Sequence, residues 1–299
     1  MILTKRLTAL LVFGTLISTG CGTLSSPVGM IKPPVSAIVA SLSDETAATI
    51  INNFLPKGAR IVNPQNPEGV KGIQLADLNG DGKDEIIGLY KLNGEQTGAG
   101  IIVLNRTTDS NWSKILDYKS EGYGVNYLKF ADITGNKKND IIVGWNIGST
   151  ANGLDIFSFE NNQLIKIASN GYSKIEVEDM ANKNGITDGK SEIALWNHDT
   201  GEAYKIDVVK WGGAKLIPDQ DVYPYYFKKV TQYYEQKVKE MPDAAFYWYY
   251  LADAQIKANN PNDALSSIKT GLSIKGNHND YYPDNSKFEE LKIIAQNML

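Results

Sequence analysis

An α+β fold with its strands first and its helices last is the class this sequence predicts, on three observations. From about Gly58 to Pro218, short runs rich in Ile, Val, Tyr and Phe are broken by Gly and Asn clusters, the pattern of antiparallel strands. Within that span three stretches align with one another, so the strands come in repeated units. After Pro218 the apolar spacing changes to a period of about 3.6, which marks helices.

The chain opens Met-Ile-Leu-Thr-Lys-Arg, continues apolar from Leu7 to Ile17, and reaches Ser-Thr-Gly-Cys at residues 18 to 21. That is the charged, apolar and cleavage-site order of a secretory signal, and the apolar part falls short of the roughly 20 residues a membrane span needs. Residues 1–20 are therefore expected to be removed. Small residues before the chain's single cysteine resemble the signal of bacterial lipoproteins. That resemblance implies a diacylglyceryl group on Cys21, with the protein exported and held on the bacterial membrane, its body on the extracytoplasmic side. Ser18 stands where that family usually has Leu, and an ordinary signal peptide cut nearby is the alternative. An exported chain with one thiol forms no internal disulfide, which leaves the sulfur free for an anchor.

Without residues 1–20 the chain carries 28 basic and 34 acidic side chains, a formal charge of −6. Nucleic acid as a partner is excluded on that balance, because its phosphates demand a basic face. Residues 21–43, with Pro27, Pro33 and Pro34 among Ser, Gly and Thr, read as a flexible tether. "SDETAATIINNFLP" then reads as a short helix capped by Ser43 or Asp44 and ended before Pro56. It opens a β region over 44–217, and residues 218–299 form the helical region.

The aligned stretches are "GIQLADLNGDGKDEIIGLY", "YLKFADITGNKKNDIIVGW" and "KIEVEDMANKNGITDGKSEIALW". Each is an alternating strand, a turn opened by an aspartate, and a second strand opened by an acid. Asp77 and Asp132 are 55 residues apart and Asp132 and Asp179 are 47, close to the spacing of propeller blades. Further strand-like runs after each give about four strands per unit.

These residues resemble the FG-GAP or VCBS-type repeat, the calcium-loop blade of integrin-like propellers. The resemblance implies a three-blade, propeller-like array whose edges other segments cover, since closed propellers take four to eight blades. It also implies a structural Ca2+ in the first loop. There Asp77, Asn79 and Asp81 supply positions one, three and five, Lys83 its carbonyl at seven, and Glu85 position nine. An EF-hand would need Glu at position twelve, where Gly88 stands, and helices on both sides. An Asx-Gly turn without metal is the alternative. The second loop keeps Asp132 and Asp140 but has Thr134 and Asn136 between them. The third has an insertion, with Asp179, Asp188 and Glu192 left as candidates, and reads as a plain turn.

Past Pro218 four helices are expected, Pro261 beginning one and Ser286 with Glu289 forming a capping box at another. The middle pair resembles a tetratricopeptide repeat: Trp248, Leu251 and Ala252, then Ala264 and Ile268, with Gly276 at the usual proline and Gln255 at the usual Tyr. The resemblance implies a protein partner at the helical domain. "FYWYY", residues 246 to 250, has two readings: packing of helix on helix and strand, or an exposed aromatic groove for a peptide or glycan. No Gly-x-Ser-x-Gly, His-Glu-x-x-His or phosphate-cradling glycine loop is present, and His198 and His278 sit in polar surroundings. The reading is a non-catalytic binding or assembly module of the cell envelope, with a carbohydrate-binding accessory as the alternative.

Overall fold

The computed structural model describes residues 42–108, 111–275 and 282–299. The signal segment, Cys21, nearly all of the tether, Gly276 and His278 lie outside them.

The described chain is α+β. Helix α1 (Asp44–Asn52) is followed by strands β1 (Ala59–Ile61), β2 (Ile73–Ala76), β3 (Glu85–Leu92), β4 (Ala99–Thr108) and β5 (Asn111–Lys119). Next come β6 (Gly124–Ala131), β7 (Asp140–Asn146), β8 (Asn152–Glu160) and β9 (Gln163–Tyr172). The last strands are β10 (Lys174–Glu178), β11 (Glu192–His198), β12 (Tyr204–Trp211) and β13 (Leu216–Pro218). Four helices close the chain: α2 (Tyr223–Glu240), α3 (Ala245–Lys257), α4 (Pro261–Lys275) and α5 (Asn285–Gln296).

The strands make three open antiparallel sheets, β2 to β5, β6 to β9 and β10 to β13, each running in chain order. The short β1 joins the first by sharing the edge of β3 with β2: Ile61 pairs with Tyr90, and Ile73 with Gly88.

Strand alternation then stacks the layers. On the first sheet Ile86, Tyr90, Ile102 and Leu104 turn toward Ala47 and Ile51 of α1, while Ile87, Leu89, Ile101 and Val103 turn toward Ile141, Val143, Trp145 and Phe157 of the second. The second sheet sends Ile142, Leu154 and Ile156 the other way, to Val177, Ile193, Leu195 and Val209 of the third. The third sends Ala194, Trp196, Ile206 and Val208 to Phe227, Val230 and Tyr234 of α2 and Leu251 of α3. The order is α1, three sheets, helices. A middle strand such as β7 is consequently buried along its whole length instead of on alternate residues.

Ser43 caps α1, its Oγ accepting the Thr46 N–H at 3.2 Å. Gly88 gives α1 its seat: a Cβ there would lie 2.7 Å from Ile51 Cδ1. Pro261 is the first residue of α4, as its missing N–H favours. The cap of α5 falls two residues before the expected Ser286. Asp284 accepts the Lys287 N–H at 3.1 Å, and the Ser286 hydroxyl donates to the same carboxylate. The helix therefore starts two residues earlier than expected, and Asp284 accepts the amide three residues on, as an N-cap carboxylate does.

Candidate functional site

Each sheet has one loop between its first two repeat strands, and the three loops repeat one pattern of hydrogen bonds. Asp77 accepts Gly80 N–H at 2.6 Å and Gly82 N–H at 2.9 Å. Asp132 accepts the amides of Gly135, Asn136 and Lys137, and Asp179 those of Asp188 and Gly189. Farther along each loop Asp81, Asn136 and Asp188 accept the amides of Lys83, Lys138 and Lys190. Such Asx turns let a short polar side chain replace the missing ladder bonds of a tight turn. The third loop's insertion closes on itself, Asn182 Oδ1 accepting Asn184 N–H at 2.8 Å.

The acid that opens the second strand lies inside in every case. Glu85, Asp140 and Glu192 are buried and accept the amides of Leu78, Ile133 and Met180 at 2.8 to 2.9 Å. Burial pushes Glu85 up to about 7 against the pull of the Leu78 N–H, with Asp81 and Asp77 adding to it. Burial raises Glu192 to about 7 as well, with Asp188, Asp219 and Asp179 contributing. Asp140 is raised by burial against its hydrogen bonds.

In the first loop the other Glu85 oxygen takes Asn79 Nδ2–H at 2.8 Å, and Asn79 Oδ1 takes Asp81 N–H at 2.8 Å. Asp77 and Asn79 are half-buried and Asp81 and Lys83 exposed. Among the described residues no three of Asp, Glu, His and Cys gather closely enough to hold a metal by themselves. A cation here would draw on Asn79 and on a carbonyl as well, hard oxygen donors of the kind calcium takes.

The loops also touch one another. Asn139 Nδ2 donates to the Asp77 carbonyl at 3.4 Å, and Ser191 N–H to the Asp132 carbonyl at 2.7 Å. Together they border a shallow basin of about 380 Å³ lined by Asp77, Gly80, Asp132, Lys137, Lys138, Asn139 and Gly189. Beyond the third loop, the connection from β13 to α2 takes the neighbouring place, with Lys183 N–H donating to the Asp221 carbonyl at 2.9 Å. Asp219 on that connection is buried and paired with Lys210 at 2.9 Å. The sequence carries no sign of these inter-loop partners beyond the recurrence of a polar residue just before each closing acid.

At the far end of the stack a row of phenols grips the hairpin between β11 and β12. Tyr233 donates to the Glu202 carbonyl at 2.6 Å, Tyr247 accepts Glu202 N–H at 3.2 Å, and Tyr250 donates to Asp199 at 2.8 Å. Within Phe246 to Tyr250, Tyr247 and Tyr250 are buried and the others half-buried. Tyr247 and Tyr250 pack inside, while the half-buried Trp248 also lines an open groove. His198 is exposed, its Nε2 2.8 Å from the Gly201 carbonyl oxygen. On the other side of the helices an open groove of about 610 Å³ runs past Val238, Lys239, Trp248, Leu251, Gln255 and Ser267. Gln255, buried, accepts from the Ser267 hydroxyl at 2.8 Å and so joins α3 to α4.

No family model and no curated protein matches the chain. Among solved structures it is similar to a mannose phosphorylase from Leishmania mexicana in complex with phosphate ion, at 12% identity and a TM-score of 0.26. The match covers 56% of this chain and 52% of that one, so the chain spans about half the length of that protein it matches. Among the described residues no helix is long and apolar enough to cross a membrane.

Proposed function

We propose that the chain is a bacterial lipoprotein, anchored through Cys21, whose body is a non-catalytic binding or assembly module of the cell envelope. The three sheets act as a three-blade, propeller-like array of the FG-GAP or VCBS type. Calcium clips the first loop through Asp77, Asn79, Asp81 and the Lys83 carbonyl, with Glu85 behind them. The helices form a tetratricopeptide-like unit that presents the docking surface for a protein partner.

The observation that carries this reading is the wiring pattern the three loops share. A carboxylate gathers the turn amides, and a buried acid closes the turn on the next strand. That repetition supports a scaffolding role for the polar groups of each loop. Support for the helical unit comes from the seam of Ala252, Ile256, Ala264 and Ile268, which α5 seals with Phe288 and Leu291.

Photocrosslinking in the native membrane tests the proposal. A crosslinker at Lys239, beside the groove, should capture a defined protein, and one at Lys83 should not. Capture at Lys83 alone, or specific signals on a glycan array with no protein crosslinked, would overturn it.

A further inference from the structure

Where β10 passes α2, three rings meet at a corner. Trp196 of β11 and Tyr204 of β12 have centroids 5.8 Å apart and planes at 64°. Tyr233 of α2 stands 5.4 Å from Trp196 at 83° and 6.4 Å from Tyr204 at 63°. Into this corner the first residue of β10, Lys174, extends its ammonium, 4.2 Å from the Tyr204 centroid, 5.8 Å from Tyr233 and 6.0 Å from Trp196. Lys174 is exposed and Trp196 buried, with both tyrosines half-buried. Among the described residues no carboxylate pairs with Lys174, and the three rings are the groups its ammonium rests against.

Each wall is fixed from behind. Trp196 donates through Nε1 to the Tyr226 hydroxyl at 2.8 Å, Tyr233 donates to the Glu202 carbonyl at 2.6 Å, and the Tyr204 backbone is tied to the Tyr234 hydroxyl. Rings that need no rearrangement lose little entropy on binding. Lys237 also faces them, 5.7 Å from the Tyr233 centroid and paired with Glu202 and Glu240. His198 packs edge-on against the Tyr204 ring at 5.7 Å and engages the Gly201 carbonyl.

We propose that the corner of Trp196, Tyr204 and Tyr233 is a binding site for a quaternary ammonium group, with the Lys174 ammonium as its exchangeable resident. A primary ammonium is compact and strongly hydrated, so its natural place is water. A quaternary ammonium has no N–H to hydrate and spreads its charge over methyl groups, which suits ring faces. The exposed four-carbon stem of Lys174 allows the lysine to swing into solvent when that group enters, while Lys237 stays with its carboxylates.

Choline chloride is the probe, titrated calorimetrically into the full chain against sodium chloride at equal ionic strength, with the Trp196 indole N–H followed by NMR. Choline is expected to bind and to shift that resonance, and Lys174→Ala to tighten binding about fivefold by removing the competitor. Tyr204→Leu is expected to lose binding. Because Lys174 is exposed, its substitution leaves the fold intact, so that comparison stands even if Tyr204→Leu does not fold. An unmoved Trp196 resonance, or no gain from Lys174→Ala, overturns the proposal. Cosedimentation with phosphatidylcholine vesicles, competed by free choline, would assign the group to a lipid headgroup. Choline binding without cosedimentation would assign it to a free small molecule.

Discussion

The Tyr234 hydroxyl accepts the Tyr204 N–H at 2.9 Å and donates to the Tyr204 carbonyl at 2.7 Å, so one side chain of α2 completes the backbone of β12. Tyr234 is buried, and water has no easy route to replace it. Tyr234→Phe keeps the ring and leaves both backbone groups without that partner. The expected loss is about 2 kcal/mol, the desolvation cost of orphaned polar groups. Urea denaturation should show the midpoint fall with an unchanged slope; an unchanged midpoint would mean that the hydroxyl is dispensable.

Calcium at the first loop would act as a stabiliser. A ligand at ten times its dissociation constant adds about 1.4 kcal/mol. Chelation with EDTA should therefore lower the melting temperature by a few degrees and added calcium should restore it. Asp77→Asn combined with Asp81→Asn should abolish the response. A melting curve indifferent to both EDTA and calcium would remove the ion from this loop.

Glu85 and Glu192 set an opposite trend with pH in the absence of metal. Both are raised to about 7 in the folded chain, chiefly by burial, so between about 4.5 and 7 the folded state binds more protons than the unfolded one. Their favourable contribution is complete below about 4.5 and fades as pH rises through 7. Stability measured in EDTA should fall across that window, and Glu192→Gln should flatten the slope by holding the neutral form. A steeper fall in the variant would contradict the assignment.

The loops were legible in the sequence because the information is local. Asp77, Asp132 and Asp179 each follow an alternating run, and their closing acids recur at nearly fixed separations, interrupted only by the excursion over 182–186. The stacking order was not legible. Alternation tells that β3 has two faces but not that one meets α1 and the other the second sheet. Contacts such as Tyr234 with Tyr204, or Lys174 with Tyr233, join residues far apart in the chain, and no period encodes which phenol meets which carbonyl. The short β1, three residues long, was too brief to stand out. The cap of α5 departs from Ser286 for a different reason: Asp284, a stronger acceptor, stands two positions before it.

Lys137 is the one non-glycine at its place in the repeated loop. It holds φ +64°, where its counterparts Gly82 and Gly189 hold +79° and +84°. Left-handed backbone crowds a Cβ against the following carbonyl, which strains lysine and not glycine. Asp132 accepts the Lys137 amide at 2.7 Å and enforces that conformation. Lys137→Gly should relieve the strain and raise stability by about 0.5 kcal/mol after the extra freedom of the unfolded chain is subtracted. The gain is readable as a higher urea midpoint, and a loss would show that the lysine side chain stabilises the basin more than its backbone strains the turn.

Gly271 of α4 tests the opposite balance. Alanine is favoured over glycine inside a helix by about 1 kcal/mol, so propensity alone predicts that Gly271→Ala stabilises. Yet a Cβ at this position would lie 2.5 Å from Phe288 Cε1 and 2.6 Å from Cζ, with Trp248 Cβ at 3.1 Å. Phe288 is fully buried beneath α5, so its ring cannot step aside without shifting the helix that carries it. Overpacking of this kind costs about 1 to 3 kcal/mol and outweighs the propensity gain. Gly271→Ala should lower the urea midpoint and speed amide exchange in α5 ahead of the sheets. Compensation would come from Phe288→Leu in the same chain, which shortens the opposing side chain. Recovery of stability in the double variant, beyond the sum of the single effects, would place the cost at this contact.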